Sequence, residues 1–278
     1  MSRIVHLSDL HFGAVTPGMA QHLLRKLHLL SPDLTVISGD LTQNARSREF
    51  AEAAAFIAEL PQPCLVVPGN HDMSSLRLHE RFFYPWQKWQ QYISTDLEPV
   101  IRVPGVIAVG LNTCRRMSVY LDWSRGRINL RQLAKIETEL AASTADEVRI
   151  VVTHHPFYLT EASKHRGLIG RLELAWPRMQ AAGVDLVLSG HIHLAYAQVF
   201  HGMIVAHAGS GISHRLRGEA NSFNLITASR NTIEIQQMAW REDGFVNGVQ
   251  QCFVRMEQGF IESACGIGRE LKAESGRV

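Results

Sequence analysis

Cysteine is scarce in this chain of 278 residues: Cys64, Cys114, Cys252 and Cys265 are the only four, and none forms a C-x-x-C pair. That excludes a cysteine-rich zinc knuckle and gives no sign of a disulfide framework, so the four read as reduced, mostly buried thiols. Charge of one sign is equally scarce. Lys and Arg number 28 against 26 Asp and Glu, a formal net charge of +2 with His neutral. Binding to a nucleic-acid polymer needs a concentrated basic face and is not expected; a small phosphorylated ligand is compatible with a locally positive site. No apolar run approaches the roughly 18–20 residues that span a bilayer. The start, Met1-Ser2-Arg3-Ile4-Val5-His6-Leu7, turns polar too soon for a signal peptide. Linker-like runs and internal repeats are also lacking. Together these absences point to one cytoplasmic domain over residues 1–278, for which a homo-oligomer is as compatible as a monomer.

What the chain does have is short apolar runs of strand length, rich in β-branched residues, at 4–7, 34–37, 64–67, 106–111, 148–152 and 184–188. Between them, residues 18–30, 46–60 and 129–142 carry apolar residues at helical spacing. Strand alternating with helix predicts α/β packing. Beyond residue 195 the runs 197–200, 203–206, 223–228 and 232–238 follow one another without helices, which predicts a second, more antiparallel sheet. The expected fold is a two-sheet sandwich flanked by helices.

The chemistry concentrates where strands stop. The first run is followed by Ser8-Asp9-Leu10-His11, the second by Ser38-Gly39-Asp40, and the third by Gly69-Asn70-His71-Asp72. Thr153-His154-His155-Pro156 and Ser189-Gly190-His191-Ile192-His193 follow two later runs. Sites in open α/β sheets form beyond the carboxyl ends of strands, where such loops converge. Asp9 and His11, like His191 and His193, are two apart, a spacing that presents both side chains together on extended backbone. A lone Asp at a strand end is usually a cap or turn residue, and a lone buried His is usually a hydrogen-bonded core residue. Five such coincidences are better explained by one shared site. Imidazole, carboxylate and carboxamide donors without thiolate suit Mn, Fe, Zn or Co. Seven donors, Asp9, His11, Asp40, Asn70, His154, His191 and His193, exceed one tetrahedral ion and suit two, with Asp40 as the candidate bridge.

These five blocks resemble, in order, those of the calcineurin-like metallophosphoesterase superfamily, and most closely its bacterial class III cyclic-nucleotide phosphodiesterases. The resemblance implies an α/β fold, a four-layer αββα sandwich of two mixed sheets flanked by helices, and two metal ions, one held by Asp9, His11 and His193, the other by Asn70, His154 and His191, with Asp40 between them. It implies hydrolysis of a phosphodiester by metal-activated hydroxide, with His71 as general acid. Asn70, His71 and His155 are the candidate substrate contacts. Many members carry Asp three residues beyond the bridging Asp, where this chain has Gln43; that departure leaves open what orients His71.

Residues 82–92 are dense in aromatics, and residues 74–98 are read either as a helical cap over the site or as ordinary core. Arg217, in the run 215–221, could reach a substrate phosphate or lie on a solvated loop. Rival functions are a pyrophosphatase of a nucleotide-linked lipid such as UDP-2,3-diacylglucosamine, whose familiar form carries Arg where His71 stands, and a phosphomonoesterase. A non-catalytic binding module on the same fold is a remote third, since such modules tend to lose residues that are all present here.

Overall fold

The computed structural model describes residues 1–74, 77–117, 124–164 and 166–265. The strands are β1 (Ser2–Leu7), β2 (Leu34–Ile37), β3 (Cys64–Val66), β4 (Val100–Val103), β5 (Val106–Gly110), β6 (Val148–Val152) and β7 (Leu186–Ser189). They continue as β8 (Tyr196–Phe200), β9 (Met203–His207), β10 (Ser222–Ala228), β11 (Thr232–Arg241), β12 (Gly244–Met256) and β13 (Gly259–Ser263). The helices are α1 (Met19–Leu30), α2 (Ser47–Glu59), α3 (Leu78–Phe83), α4 (Gln87–Tyr92), α5 (Leu130–Ala141) and α6 (Leu172–Ala181).

One sheet runs β13-β12-β11-β10-β1-β2-β3 and the other β4-β5-β6-β7-β9-β8. Both are mixed. The expectation that the strands after residue 195 form their own sheet is corrected here. β10 pairs antiparallel with β1, so β10–β13 extend the N-terminal sheet, while β8 and β9 complete the other. Apolar periodicity assigns strands but carries no information on partner, which is decided by packing across the whole sandwich.

Three apolar layers hold the sandwich together. Between the sheets, Ile4, Val36 and Ile226 meet Ala108, Ile150 and Leu188. Outside the first sheet, Leu23 and Leu27 of α1, Phe50 of α2 and Trp89 of α4 cover Val5, Leu7 and Ile37. Outside the second, Leu133 and Ile136 of α5 and Met179 of α6 cover Val109 and Val151. These are the four layers αββα. α5 begins at a reciprocal cap in which the Asn129 side chain accepts from the Gln132 N–H and the Gln132 amide oxygen accepts from the Asn129 N–H, both at 2.9 Å.

The aromatic segment divides. Pro85 interrupts it, giving the two short helices α3 and α4 in place of one. Trp89 is buried and meets Phe50 edge-on, whereas Phe83 and Tyr84 are exposed. The reading of four reduced thiols is also corrected. Cys252 on β12 and Cys265 beyond β13 form a disulfide, because the β12–β13 hairpin brings residues 13 apart to a Cα separation of 5.2 Å. Cys64 and Cys114 stay free. Among the described residues no helix is long and apolar enough to cross a membrane.

At the end of the sandwich where β7 begins, the buried Asp185 ties the sheets together. It accepts from the Arg149 N–H at 2.9 Å, Arg255 Nη2 at 2.6 Å and Arg230 Nη1 at 3.3 Å. Asp185→Ala strands two half-buried cations and is expected to lower unfolding stability by about 2–3 kcal/mol. The check is a denaturant midpoint that falls while bound metal stays constant.

Candidate metal centre

Five strand ends meet at one rim. β1, β2 and β3 are parallel neighbours in one sheet, and β6 and β7 are parallel neighbours in the other. Their loops are stitched by backbone bonds, among them Asp9 N–H to Gly39 O, His11 N–H to Asp40 O and Gly190 N–H to His154 O, each 3.0 Å. The side chains are not presented by extended backbone. Asp9, His11, Asp40, His191 and His193 all have left-handed φ, between 49° and 73°. Each such non-glycine residue carries roughly 1–2 kcal/mol of local strain, which the surrounding pairing sustains. The glycines serve a second need, close approach. A Cβ at Gly69 would lie 2.2 Å from Asp40 Oδ1, and one at Gly190 would lie 1.8 Å from Ser8 Oγ.

The seven predicted donors come together in two groups around Asp40. In the first, Asp9 Oδ1 lies 3.0 Å from His193 Nε2 and 3.7 Å from His11 Nε2, and the two Nε2 atoms are 3.3 Å apart. In the second, Asn70 Oδ1 lies 3.1 Å from His154 Nε2 and 2.9 Å from His191 Nδ1. Asp40 Oδ2 stands between them, 3.8 Å from His11 Nε2 and 3.3 Å from His154 Nε2. Backbone carbonyls set the ring orientations. His193 donates Nδ1–H to Arg215 O at 2.7 Å, and His154 donates Nδ1–H to Ser38 O at 2.8 Å, so both Nε2 lone pairs point inward.

The residues fit a pair of cations. Asp9 Oδ1 is fully buried without a hydrogen-bond partner, as is His11 Nδ1, and a buried carboxylate oxygen left so is costly unless a cation meets it. Burial opposes charge on Asp9 and Asp40, but the surrounding histidines outweigh it and hold both well below the usual carboxylate range. Burial likewise opposes charge on His154, yet Asp40 and Asp9 lift it to about 9. Two sets of acidic and imidazole donors, Asp9-His11-His193 and Asp9-Asp40-His154, each lie within 4.8 Å.

Four residues support the donors. Asp72 is buried and accepts from the N–H groups of Leu41, Thr42 and Gly69 at 2.8–3.2 Å, joining the Asp40 loop to the Asn70 loop. Burial first, then Asp40, pushes its carboxyl up to about 7. His155 is buried against His154 and His191, with Nδ1 2.7 Å from Thr113 Oγ1. His71 meets His11 edge-on at 4.9 Å between ring centroids. Its Nδ1 donates to the backbone carbonyl of Gln43 at 2.8 Å, and its Nε2 lies 3.0 Å from Arg215 Nη1, which also reaches Gln43 Oε1 at 3.3 Å. What orients His71 is therefore a main-chain carbonyl and an arginine. Sequence reasoning passed over Arg215 in favour of its neighbour Arg217, which is exposed. The sequence signal was only that both lie in a loop after the last His block.

Residues 2–195 match the family model for calcineurin-like phosphoesterase. A Synechococcus protein named "Probable cyclic nucleotide phosphodiesterase" is 26% identical over 206 residues, covering 70% of this chain and 74% of that protein. The UDP-2,3-diacylglucosamine pyrophosphatase of Chlamydia muridarum is 36% identical over 76 residues, covering 26% of this chain and 23% of that protein. Among solved structures, a dimetal phosphatase from Danio rerio superposes with a TM-score of 0.61 at 14% identity, covering 88% of this chain and 98% of that one. This last likeness is one of fold.

Proposed function

Because the chain belongs to the calcineurin-like phosphoesterase family, we propose that it hydrolyses a small phosphodiester of the cyclic-nucleotide kind at a dinuclear metal centre. The observation that carries this reading is the convergence of two lone-pair-rich donor groups on the single carboxylate of Asp40, with His71 beside them. The similarity to the Synechococcus protein supports the diester class.

Asp9, His11 and His193 would hold one cation and Asn70, His154 and His191 the other, with Asp40 available to both. When bound, the pair supplies Lewis acidity toward the phosphoryl oxygens and a water of lowered pKa. Ser38 and Arg215 carbonyls keep the imidazoles aimed, and Asp72 keeps the Asp40 and Asn70 loops in register. His155 braces His191 and His154. His71, once its Nε2 has taken up a proton, would hand that proton to the leaving alkoxide, which departs poorly without one.

The test is a screen of Mn-, Fe- or Zn-loaded protein against cyclic nucleotides, bis-p-nitrophenyl phosphate, p-nitrophenyl phosphate and UDP-2,3-diacylglucosamine. Cleavage of the diesters supports the reading. Inertness toward cyclic nucleotides beside rapid cleavage of the lipid would replace it with the pyrophosphatase that the 76-residue match to the Chlamydia protein favours. For His71→Ala, the metal content is expected to hold while turnover of alkyl esters falls by about 10²–10⁴. p-Nitrophenyl esters, whose leaving group needs little protonation, should lose much less. Equal losses across leaving groups would remove His71 from the acid role.

A further inference from the structure

Arg215 sits on a loop that is fastened to the metal-binding loops rather than free in solvent. Its carbonyl accepts from His193 Nδ1 at 2.7 Å. Five residues earlier, Ser210 Oγ donates to Asp9 O at 2.9 Å, and the Gly211 N–H donates to Ser8 O at 3.0 Å. Asn221 Nδ2 closes the loop by donating to Ser210 O at 3.1 Å and Ser213 O at 2.8 Å. The backbone of Arg215 is thus fixed relative to two of the donor residues, Asp9 and His193.

Its side chain is held only weakly. A guanidinium has five N–H groups. The contacts seen here, to His71 Nε2 at 3.0 Å and Gln43 Oε1 at 3.3 Å, both run from Nη1. Both acceptors are neutral. The Gln43 carbonyl can only accept, so His71 Nδ1 carries the proton and its Nε2 offers a lone pair to the arginine. A charged oxygen is a much stronger acceptor than either, and the planar fork of arginine matches a phosphoryl group in two-point contact. Burial first, then the neighbouring cations Arg166 and Arg215, lower the basicity of Arg217, which marks a cluster of positive charge around Arg215.

Resting on the phosphoesterase reading, we propose that Arg215 binds a phosphoryl oxygen of the substrate and is parked on His71 and Gln43 until substrate arrives. The transfer exchanges a neutral acceptor for an anionic one and leaves the Nε2 of His71 free to take up from solvent the proton that it then gives to the leaving oxygen. In that arrangement the arginine and the imidazole work in sequence: one group recognises the phosphate, and the other is released toward the leaving oxygen by that recognition. The position of Gln43 accords with this. An Asp there would pair with the arginine and compete with the substrate, whereas the amide holds it loosely.

The experiment uses full-length Mn-loaded protein as wild type, Arg215→Lys and Arg215→Gln. Metal per chain is measured by mass spectrometry, inorganic phosphate affinity by calorimetry, and KM and kcat on bis-p-nitrophenyl phosphate. Arg215→Gln is expected to keep its metal and to bind phosphate about tenfold to a hundredfold more weakly, with KM rising in step. Arg215→Lys should recover part of the affinity by charge alone. Unchanged phosphate affinity in Arg215→Gln would overturn the proposal, as would loss of metal from both variants, since the side chain would then be a structural brace for the loop. Were the wild type to cleave no ester, the functional reading would fail, while the phosphate titration would still decide the role of Arg215.

Discussion

Asp40→Ala is expected to deplete the metal centre and abolish turnover together. Asp40 Oδ2 is the oxygen that stands between the two donor groups, 3.3 Å from His154 Nε2 and 3.8 Å from His11 Nε2. Its Oδ1 accepts from the His71 N–H at 2.8 Å. Without it, Asp9 would be the only carboxylate among the six donors that remain, and two cations would share a single negative charge. Metal-ion stabilisation of a phosphoryl transition state amounts to several kcal/mol. At about 1.4 kcal/mol per tenfold, kcat/KM on bis-p-nitrophenyl phosphate should fall by about 10³ or more, and bound metal should drop to one ion per chain or fewer. Asp40→Asn separates charge from scaffold, because the amide oxygen can still accept from the His71 N–H. It should fold like wild type and still lose metal. Two ions per chain and near-normal turnover in either variant would remove Asp40 from the centre.

The clustering of the seven candidate donors was legible because each is a polar interruption after an apolar strand, and the α/β pattern puts strand ends on one rim. Helices α1, α2 and α5 were legible within one residue at either end, since their amphipathic faces are long enough to carry a period. The partners that orient the site were not. Ser38 O and Gln43 O act through the backbone, which every residue possesses, so no side-chain pattern announces them. Arg215 lies 144 residues from His71, and only the loop bonds through Ser210, Gly211 and Asn221 bring it there. The left-handed backbone at Asp9, His11, Asp40, His191 and His193 was equally hidden. Spacing of two suggested extended chain, whereas the same pairs are presented by turns that only the completed pairing can hold. Strand partnership and the Cys252–Cys265 pairing fail for the same reason, being properties of tertiary packing.

Gly190→Ala should damage the centre more than any other single methyl group added to the loops. Gly190 does not need a left-handed φ, so the substitution is not excluded by backbone conformation. It is excluded by space. The new Cβ would fall 1.8 Å from Ser8 Oγ and 2.5 Å from Asp9 Oδ2, and both residues are fully buried. Neither can retreat easily. Ser8 O is engaged by Gly211, and Asp9 Oδ2 accepts from the His191 N–H at 3.0 Å. The overlap must displace the β7 loop from the β1 loop, carrying His191 and His193 away from Asp9. Overpacking of this kind costs about 1–3 kcal/mol of stability, and a displacement near 1 Å at a reacting centre costs about 10²-fold in rate. The expected result is a folded protein with weakened metal affinity and kcat/KM reduced by about two orders of magnitude. Gly218→Ala is the control. Its φ of +84° strains an alanine, but no atom lies within 4 Å of the added carbon, so it should lower stability by about 1 kcal/mol and leave metal affinity intact. Similar metal affinities in the two variants would show that the Gly190 contact with Ser8 and Asp9 does not hold the donors in register.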